Sequence, residues 1–334
     1  MMLSWAKWSD ERLLGMRLSD LHLHIHGTWL ERPIRTVLHE LDDKGLKLRP
    51  HFWLSEEWFS PGGIAGVALP FYLAHPRLMK LERKQMLEVE GGNFAWCMKI
   101  LRHEIGHAMQ HGFELHRRRG WQEHFGKSST RYPTSYVPKP KSKRYVQHLD
   151  LWYAQSHPDE DFAETFAVWL KPRSPWRTRY AGWPALKKLR YVDELMDELR
   201  GKRPSQHSRA QIDPISRLRK TIGSYYEQKR AHYGGSFPDT YDRDLKRLFP
   251  KATGGEAASM FLRRNHAEIR ELVGRWTGEY QFTLDQVMKQ MIGRARQLRL
   301  RAVGSERQLK LDFAIMVTVQ SMHYLYSDNH KHPV

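Results

Sequence analysis

Cysteine is nearly absent from this sequence, since Cys97 is the only one among 334 residues. A single thiol excludes an intramolecular disulfide bond and any zinc site built from thiolates alone. A zinc ion in this protein would therefore need imidazole and carboxylate ligands. The scarcity of cysteine also fits a reducing compartment, and we expect a cytoplasmic protein.

Long hydrophobic runs are missing as well. The most apolar stretch, residues 62–74, contains Pro70 and is shorter than the ~20 residues that a membrane-spanning helix needs. The first fifteen residues spread Lys7, Asp10 and Glu11 among apolar residues, and they lack the basic start, apolar middle and small-residue cleavage site of a secretory signal. We therefore expect neither export nor a membrane partner.

Negative charge is scarce relative to positive charge. The 55 Lys and Arg residues exceed the 37 Asp and Glu residues by 18, which favours acidic or polyanionic partners. Hydrophobic residues make up 40% of the chain, as in a globular protein, and this excludes a disordered or collagen-like chain. Histidine is abundant, with 19 residues, and the function of these histidines becomes the central question.

The two halves of the chain show different hydrophobic patterns. In the first half, we predict strands at 18–26, 46–54 and 62–73, helices at 28–44, 93–112 and 158–172, and a long basic loop at 113–150. In the second half, we predict helices at 185–200, 211–230, 239–249, 256–275, 283–302 and 306–326. The sequence thus predicts an α+β domain over 1–180 and a basic, all-helical domain over 181–334 that binds substrate or a partner.

The clearest chemical motif is the pentad His103-Glu104-Ile105-Gly106-His107, late in the predicted helix 93–112. Residues four apart on a helix share one face, so both imidazoles can bind the same Zn²⁺. Glu104 lies beside them, where it can accept a proton from an attacking water. The alternative is that the two histidines lie one turn apart on the protein surface and bind no metal. The apolar face of this helix argues against that interpretation.

A hydrolytic zinc site needs a third protein ligand and one open position. A third histidine six residues after the pentad is excluded, because Phe113 occupies that position. His111, His116 and His124 are alternatives, although a straight helix cannot easily bring three successive turns to one metal. The remaining alternative is a carboxylate from the helix 158–172.

That helix carries Glu160 and Glu164, four residues apart on one face. One of them can bind zinc while the other accepts the free ring N–H of a zinc-binding histidine. They could also be solvated acids near the helix N-terminus, which the helix dipole favours. The helix is mostly apolar, however, and acidic groups within it need a cation.

Two segments, His-Glu-Ile-Gly-His-Ala at 103–108 and Glu-Asp-Phe-Ala-Glu-Thr-Phe-Ala at 160–167, together resemble a bacterial family of zinc-binding metallopeptidases. The pair is also similar to the gluzincin metallopeptidases, and to the catalytic domains of anthrax lethal factor and the Pro-Pro endopeptidases. The resemblance covers about residues 60–172. It implies a gluzincin-like domain with a small sheet and two active-site helices, and it implies that the strand 62–73 aligns a substrate backbone at its free edge.

The resemblance also implies roles for individual residues. Glu160 would be the third zinc ligand beside His103 and His107, with Glu164 supporting a ligand. Tyr153, seven residues before Glu160, matches the position of a catalytic tyrosine in the Pro-Pro endopeptidases and would stabilise the oxyanion. Zn²⁺ would be the cofactor, Glu104 the general base, and a peptide or protein the substrate.

Two other functions fit parts of the sequence. Many cations lie in the C-terminal helices, including Arg263, Arg264, Arg270, Lys289 and Arg294, and they would suit a nucleic-acid-associated protein with a structural zinc site. No named nucleic-acid-binding motif accompanies them. A zinc amidohydrolase acting on an acidic, non-peptide substrate would also agree with the positive charge.

Overall fold

The fold is seen in a computed structural model, which describes residues 3–233, 241–326 and 332–333. The chain divides into two compact units. Unit 1 comprises Met1–Gln85, Val89–Tyr226 and Pro333–Val334, and unit 2 comprises Met86–Glu88 and Glu227–His332. The architecture is mostly helical with small sheets, which confirms the predicted α+β class in general terms.

The helices and strands of the described residues follow in chain order. The first nine helices are α1 (Asp10–Leu14), α2 (Glu31–Asp43), α3 (Pro76–Met86), α4 (Phe94–Gly112), α5 (Arg119–Phe125), α6 (Pro158–Leu170), α7 (Trp176–Arg179), α8 (Ala185–Leu199) and α9 (Ile222–Tyr233). The later helices are α10 (Asp242–Leu248), α11 (Ala258–Thr277), α12 (Gln281–Gln297) and α13 (Glu306–Tyr326). The strands are β1 (His51–Ser55), β2 (Gly66–Pro70), β3 (Ser135–Tyr136), β4 (Glu256–Ala257), β5 (Arg301–Ala302) and β6 (His332–Pro333).

Unit 1 extends past residue 180, where a domain boundary was expected. Helix α8 packs on α6, and the indole N–H of Trp169 donates a hydrogen bond to Asp193 Oδ1 at 2.7 Å. At the start of α9, the ring of Tyr225 packs edge-on against Phe71, with 5.1 Å between the ring centroids. These contacts keep residues 181–226 in unit 1, because their apolar side chains complete its core.

The strand predicted at 18–26 is wrong. Residues Leu18–Leu21 form a 3₁₀ helix, and His22 adopts a left-handed backbone conformation with φ of 49°. Leu18 and Leu21 are both fully buried, and side chains three apart share one side of a 3₁₀ turn. The alternation of apolar residues with His24 and His26 therefore belongs to a chain that turns rather than extends.

The other two predicted strands are present in shortened form. Strands β1 and β2 pair in parallel, with His51 opposite Gly66 and Ser55 opposite Pro70. Every residue of β2 is buried, and the Ala68 N–H already donates to the Phe59 carbonyl oxygen at 2.8 Å. The second edge of β2 is therefore partly occupied, which argues against the expected role of this strand in aligning a substrate.

The two helices that carry the motifs begin and end at local signals. The side chain of Asn93 accepts a hydrogen bond from the Trp96 N–H and caps α4, which ends at Gly112 as predicted. His157 caps α6 in the same manner, and Pro158 occupies the first turn. The segment predicted as a loop at 113–150 contains α5, whose Trp121 is fully buried.

Unit 2 is built from helices α10–α13 around a shared apolar core that includes Phe249, Phe261 and Phe313. A two-residue antiparallel pair, β4 with β5, lies in the same unit. None of the helices in the described ranges combines the length and the apolar character needed to cross a membrane.

Candidate metal centre

The centre lies where α4 and α6 pack against each other within unit 1. The close approach requires Gly106, the fourth residue of the pentad. A Cβ atom at this position would lie 2.8 Å from Ala163 Cα and 3.1 Å from the Ala163 carbonyl oxygen. The small residues Gly106 and Ala163 thus allow the two helices to bring their polar side chains together.

The two histidines of the pentad project from one face of α4, as their spacing predicts. Their Nε2 atoms are 3.1 Å apart, and both side chains are buried. Two ring nitrogens at this distance point their lone pairs toward a common position, and a cation can occupy it.

Glu160 of α6 completes a triangle with these nitrogens. Its Oε2 atom lies 3.0 Å from His103 Nε2 and 3.1 Å from His107 Nε2. Ligand atoms at ~2.0–2.1 Å from a tetrahedral zinc ion are separated by roughly 3.3 Å. Two imidazoles and one carboxylate in this arrangement therefore fit one face of a zinc tetrahedron, with the fourth position left for water or substrate.

Glu164 lies one turn after Glu160 and supports the centre from behind. Its Oε1 accepts a hydrogen bond from His103 Nδ1 at 2.9 Å, and its Oε2 accepts one from the Leu149 backbone N–H at 2.8 Å. The first contact places the proton of His103 on Nδ1 and leaves the Nε2 lone pair free for a cation. The second holds the carboxylate in place.

The electrostatics of the group favour a bound cation. Burial by itself lowers the pKa of His103, but hydrogen bonds with Glu160 and Glu164 outweigh it and raise that pKa well above its usual value. Burial alone would raise the pKa of Glu160, yet the positive charges and hydrogen bonds of His107 and His103 hold it well below the usual range. Glu160 is thus a buried carboxylate that needs positive charge beside it, which a metal ion supplies.

Glu104 is buried beside the histidines but does not belong to the triangle. Its Oε2 atom has no hydrogen-bond partner among the described residues, and burial raises its pKa above the usual value. A carboxylate with a raised pKa and a free oxygen is suited to accept a proton from water.

Tyr153 lies at the edge of the same group. Its ring centroid is 5.8 Å from that of His103, and the two residues before it, Leu151 and Trp152, both have a positive φ. The Tyr136 hydroxyl donates a hydrogen bond to the Leu151 carbonyl oxygen at 2.9 Å, which stabilises this turn. Burial, followed by the charges of Glu160 and Glu104, raises the pKa of Tyr153 well above its usual value, so its hydroxyl keeps the proton that a donor needs.

Tyr132 is a contact of the centre that the sequence did not reveal. Its hydroxyl donates a hydrogen bond to Glu160 Oε1 at 3.0 Å, and its ring stacks on His157 with 3.6 Å between centroids. The carboxylate of Glu160 thus contacts the two histidines with one oxygen and Tyr132 with the other. The segment 126–132, which carries Tyr132, had been assigned only to a long basic loop.

The other candidate ligands lie away from the triangle. The His111 ring is 6.5 Å from that of His107, the His116 ring is a further 6.1 Å away, and His124 Nδ1 contacts the Gly120 carbonyl oxygen. Cys97 is buried, and burial raises the pKa of its thiol to about 12. The group of metal-binding atoms found among the described residues consists of His103, His107 and Glu160.

Comparison with known proteins identifies the same region of the chain as the part that resembles a known family. Residues 81–194, about a third of the chain, match the sequence model of a family described as "Putative zinc-binding metallo-peptidase". The match confirms the expected resemblance to such a family and includes both motif helices. No curated protein matches the chain, and no solved structure does.

Proposed function

We propose that this protein is a zinc-dependent metallopeptidase of gluzincin type, and that His103, His107 and Glu160 hold the zinc ion. The observation that carries the proposal is the buried triangle of two imidazole nitrogens and one carboxylate oxygen. Beside it lies Glu104, whose Oε2 atom has no hydrogen-bond partner among the described residues. Structural zinc sites are usually closed by four protein ligands, whereas three protein ligands and an adjacent base are typical of hydrolytic sites.

Zinc bound at this position would lower the pKa of a water molecule toward ~7 and polarise a carbonyl group. Two protein side chains carry out the remaining steps of the reaction. Glu104 accepts the proton of the attacking water and returns it to the amine that leaves. Tyr153 keeps its phenolic proton and donates a hydrogen bond to the oxyanion that forms on the substrate carbonyl.

The two glutamates of α6 have different roles in this scheme. Glu160 faces the metal position directly, while Glu164 accepts hydrogen bonds from His103 and the Leu149 N–H. The division follows from their positions one turn apart, since the carboxylate nearer the N-terminus of α6 faces both histidines. Glu164 is therefore proposed as a positioning residue.

The variant Glu104→Gln tests the proposal, because glutamine keeps the shape of the side chain but cannot accept the proton. We expect it to bind zinc as the wild type does and to lose hydrolysis of a mixed peptide library, read by mass spectrometry. His103→Ala should lose both zinc and hydrolysis. Full activity in Glu104→Gln would contradict the mechanism. Stoichiometric zinc without cleavage of any peptide by the wild type would contradict the peptidase function and favour another amide substrate.

The contacts within unit 2 do not favour nucleic-acid binding. Several of the cations on which that alternative rests pair with acids of the same unit. Arg264 pairs with Glu256, Lys289 with Asp285, and Arg294 with Asp242. A nucleic-acid surface needs cations available for phosphate contacts, and these pairs reduce the number available on α11 and α12.

A further inference from the structure

A cavity of about 370 Å³ lies in unit 1, between the 3₁₀ turn Leu115–Arg117, helix α5 and the segment that leads to Tyr132. Its lining is polar and basic, and the described residues that form it include no carboxylate. The lining residues are His116, Arg117, Gln122, Lys127, Ser128 and Ser129. We call this cavity the Lys127 pocket.

The Lys127 pocket is close to the metal centre. Ring contacts of 6.5 and 6.1 Å lead from His107 through His111 to His116, which places the pocket wall within about 13 Å of the zinc ligands. On the other side, Ser128 Oγ donates a hydrogen bond at 3.0 Å to Asp159, the residue before Glu160. An extended peptide advances ~3.3–3.4 Å per residue, so the distance corresponds to about three or four residues.

The charges of the pocket favour an anion. Arg117 forms an ion pair with Glu114 at 2.7 Å. Lys127 is exposed to solvent and forms no ion pair within the described part of the chain. The Nδ1 atom of His116 is buried and has no hydrogen-bond partner among the described residues. A carboxylate is a suitable ligand for Lys127, and it can also accept a hydrogen bond from His116 Nδ1 when that nitrogen carries the proton.

We propose that the Lys127 pocket binds a carboxylate of the peptide substrate and thereby selects peptides with an acidic group about three or four residues from the cleaved bond. The proposal rests on the metallopeptidase function proposed above. The carboxylate belongs either to an Asp or Glu side chain or to a peptide C-terminus. Both present the same chemistry to Lys127, and the experiment distinguishes them.

The test uses the zinc-loaded chain and synthetic variants of one cleaved peptide. A single Glu is moved residue by residue along either side of the cleaved bond and compared with Gln at the same position. A second set compares a free C-terminus with an amidated one. We expect kcat/KM to be roughly fivefold to tenfold higher for the acidic peptide at one distance, as for one charge-assisted hydrogen bond.

Variants of Lys127 connect this preference to the pocket. Lys127→Gln should abolish the preference, and Lys127→Glu should reverse it toward a peptide with Lys at the same position. Lys171→Gln is the matched control, because Lys171 is exposed at the end of α6, roughly 16 Å along the helix from Glu160. Control and wild type should share the same preference.

The outcomes separate the two proposals. Cleavage that is indifferent to the acidic group, or a preference that survives in Lys127→Gln and Lys127→Glu, would overturn the pocket proposal and leave the peptidase function intact. A zinc-loaded chain that cleaves no peptide would overturn both. Circular dichroism of each variant confirms that the fold is retained.

Discussion

Glu164 accepts a hydrogen bond from His103 Nδ1 at 2.9 Å, and this contact determines which ring nitrogen of His103 faces Glu160. The carboxylate is buried and accepts a second hydrogen bond from the Leu149 N–H. Its two oxygens are thus both engaged, one by a zinc-ligand histidine and one by the backbone.

Replacement of this carboxylate should weaken zinc binding without removing a zinc ligand. The two N–H groups face different oxygens of the carboxylate, so in Glu164→Gln the amide NH₂ group replaces one of these acceptors and faces an N–H donor. We expect the zinc Kd to rise about 10–100-fold, as for other residues that orient a metal ligand. Competition with a chromophoric chelator measures this change. Glu194→Gln, on the exposed face of α8, is the control, and an equal zinc Kd in both variants would contradict the positioning role.

The hydroxyl of Tyr132 should also contribute to zinc affinity. Tyr132→Phe removes the hydrogen bond to Glu160 Oε1 and keeps the ring that stacks on His157. We expect a zinc Kd about three- to tenfold higher, because the carboxylate then loses one of the contacts that orient it. Tyr191→Phe, whose ring stacks on His124, serves as control. If Tyr132→Phe bound zinc as tightly as the wild type, the contact would have no role in metal binding.

Replacement of glycine by alanine should change the free energy of unfolding in opposite directions at Gly106 and at Gly293. Gly106→Ala forces a Cβ to within 2.8 Å of Ala163 Cα, so we expect it to lower the free energy of unfolding by about 1–3 kcal/mol and to weaken zinc binding. At Gly293 in α12 a Cβ meets no atom within 4 Å, and Gly293→Ala should stabilise by about 0.5–1 kcal/mol. Urea denaturation measures both, and a stable, zinc-binding Gly106→Ala variant would refute the packing argument.

Glu279 makes the stability of unit 2 depend on pH. Burial raises its pKa from 4.5 to about 7, and its Oε2 atom has no partner among the described residues. Between these two pH values the folded state keeps a proton that the unfolded state has released, so the free energy of unfolding falls as the pH rises. This loss is complete only above pH 7.

The neutral variant Glu279→Gln should therefore be close to the wild type near pH ~4 and more stable than it near pH ~8, by about 3 kcal/mol at most. Urea denaturation at several pH values measures the difference. Glu271→Gln, at an exposed position of α11, should show no such trend. A difference that is constant across the pH range would contradict the raised pKa.

The parts of the site that the sequence predicted depend on local signals. Asn93 and Gly112 delimit α4, Pro158 begins α6, and the spacing of His103 and His107 places both on one helix face. Each of these features requires only neighbouring residues and the geometry of a helix. The residue types were therefore sufficient to propose His103, His107 and a carboxylate of α6, while the choice of Glu160 came from the family resemblance.

The parts that the sequence did not predict depend on distant contacts. Tyr132 contacts Glu160 across 28 residues, and nothing in its neighbourhood distinguishes it from other tyrosines of a basic segment. The failed strand at 18–26 has a similar cause, since the Leu18 N–H donates to the carbonyl oxygen of Lys220, about 200 residues later. Hydrophobic periodicity does not report such tertiary contacts.

The zinc K-edge X-ray absorption spectrum of the zinc-loaded protein tests the central claim most directly. Bound zinc should be coordinated by two imidazole nitrogens and by oxygen ligands at ~2.0–2.2 Å, and the oxygen shell should change in Glu160→Ala. A third imidazole from His111 or His116, a sulfur ligand from Cys97, or a spectrum that Glu160→Ala leaves unaltered would contradict the proposed centre.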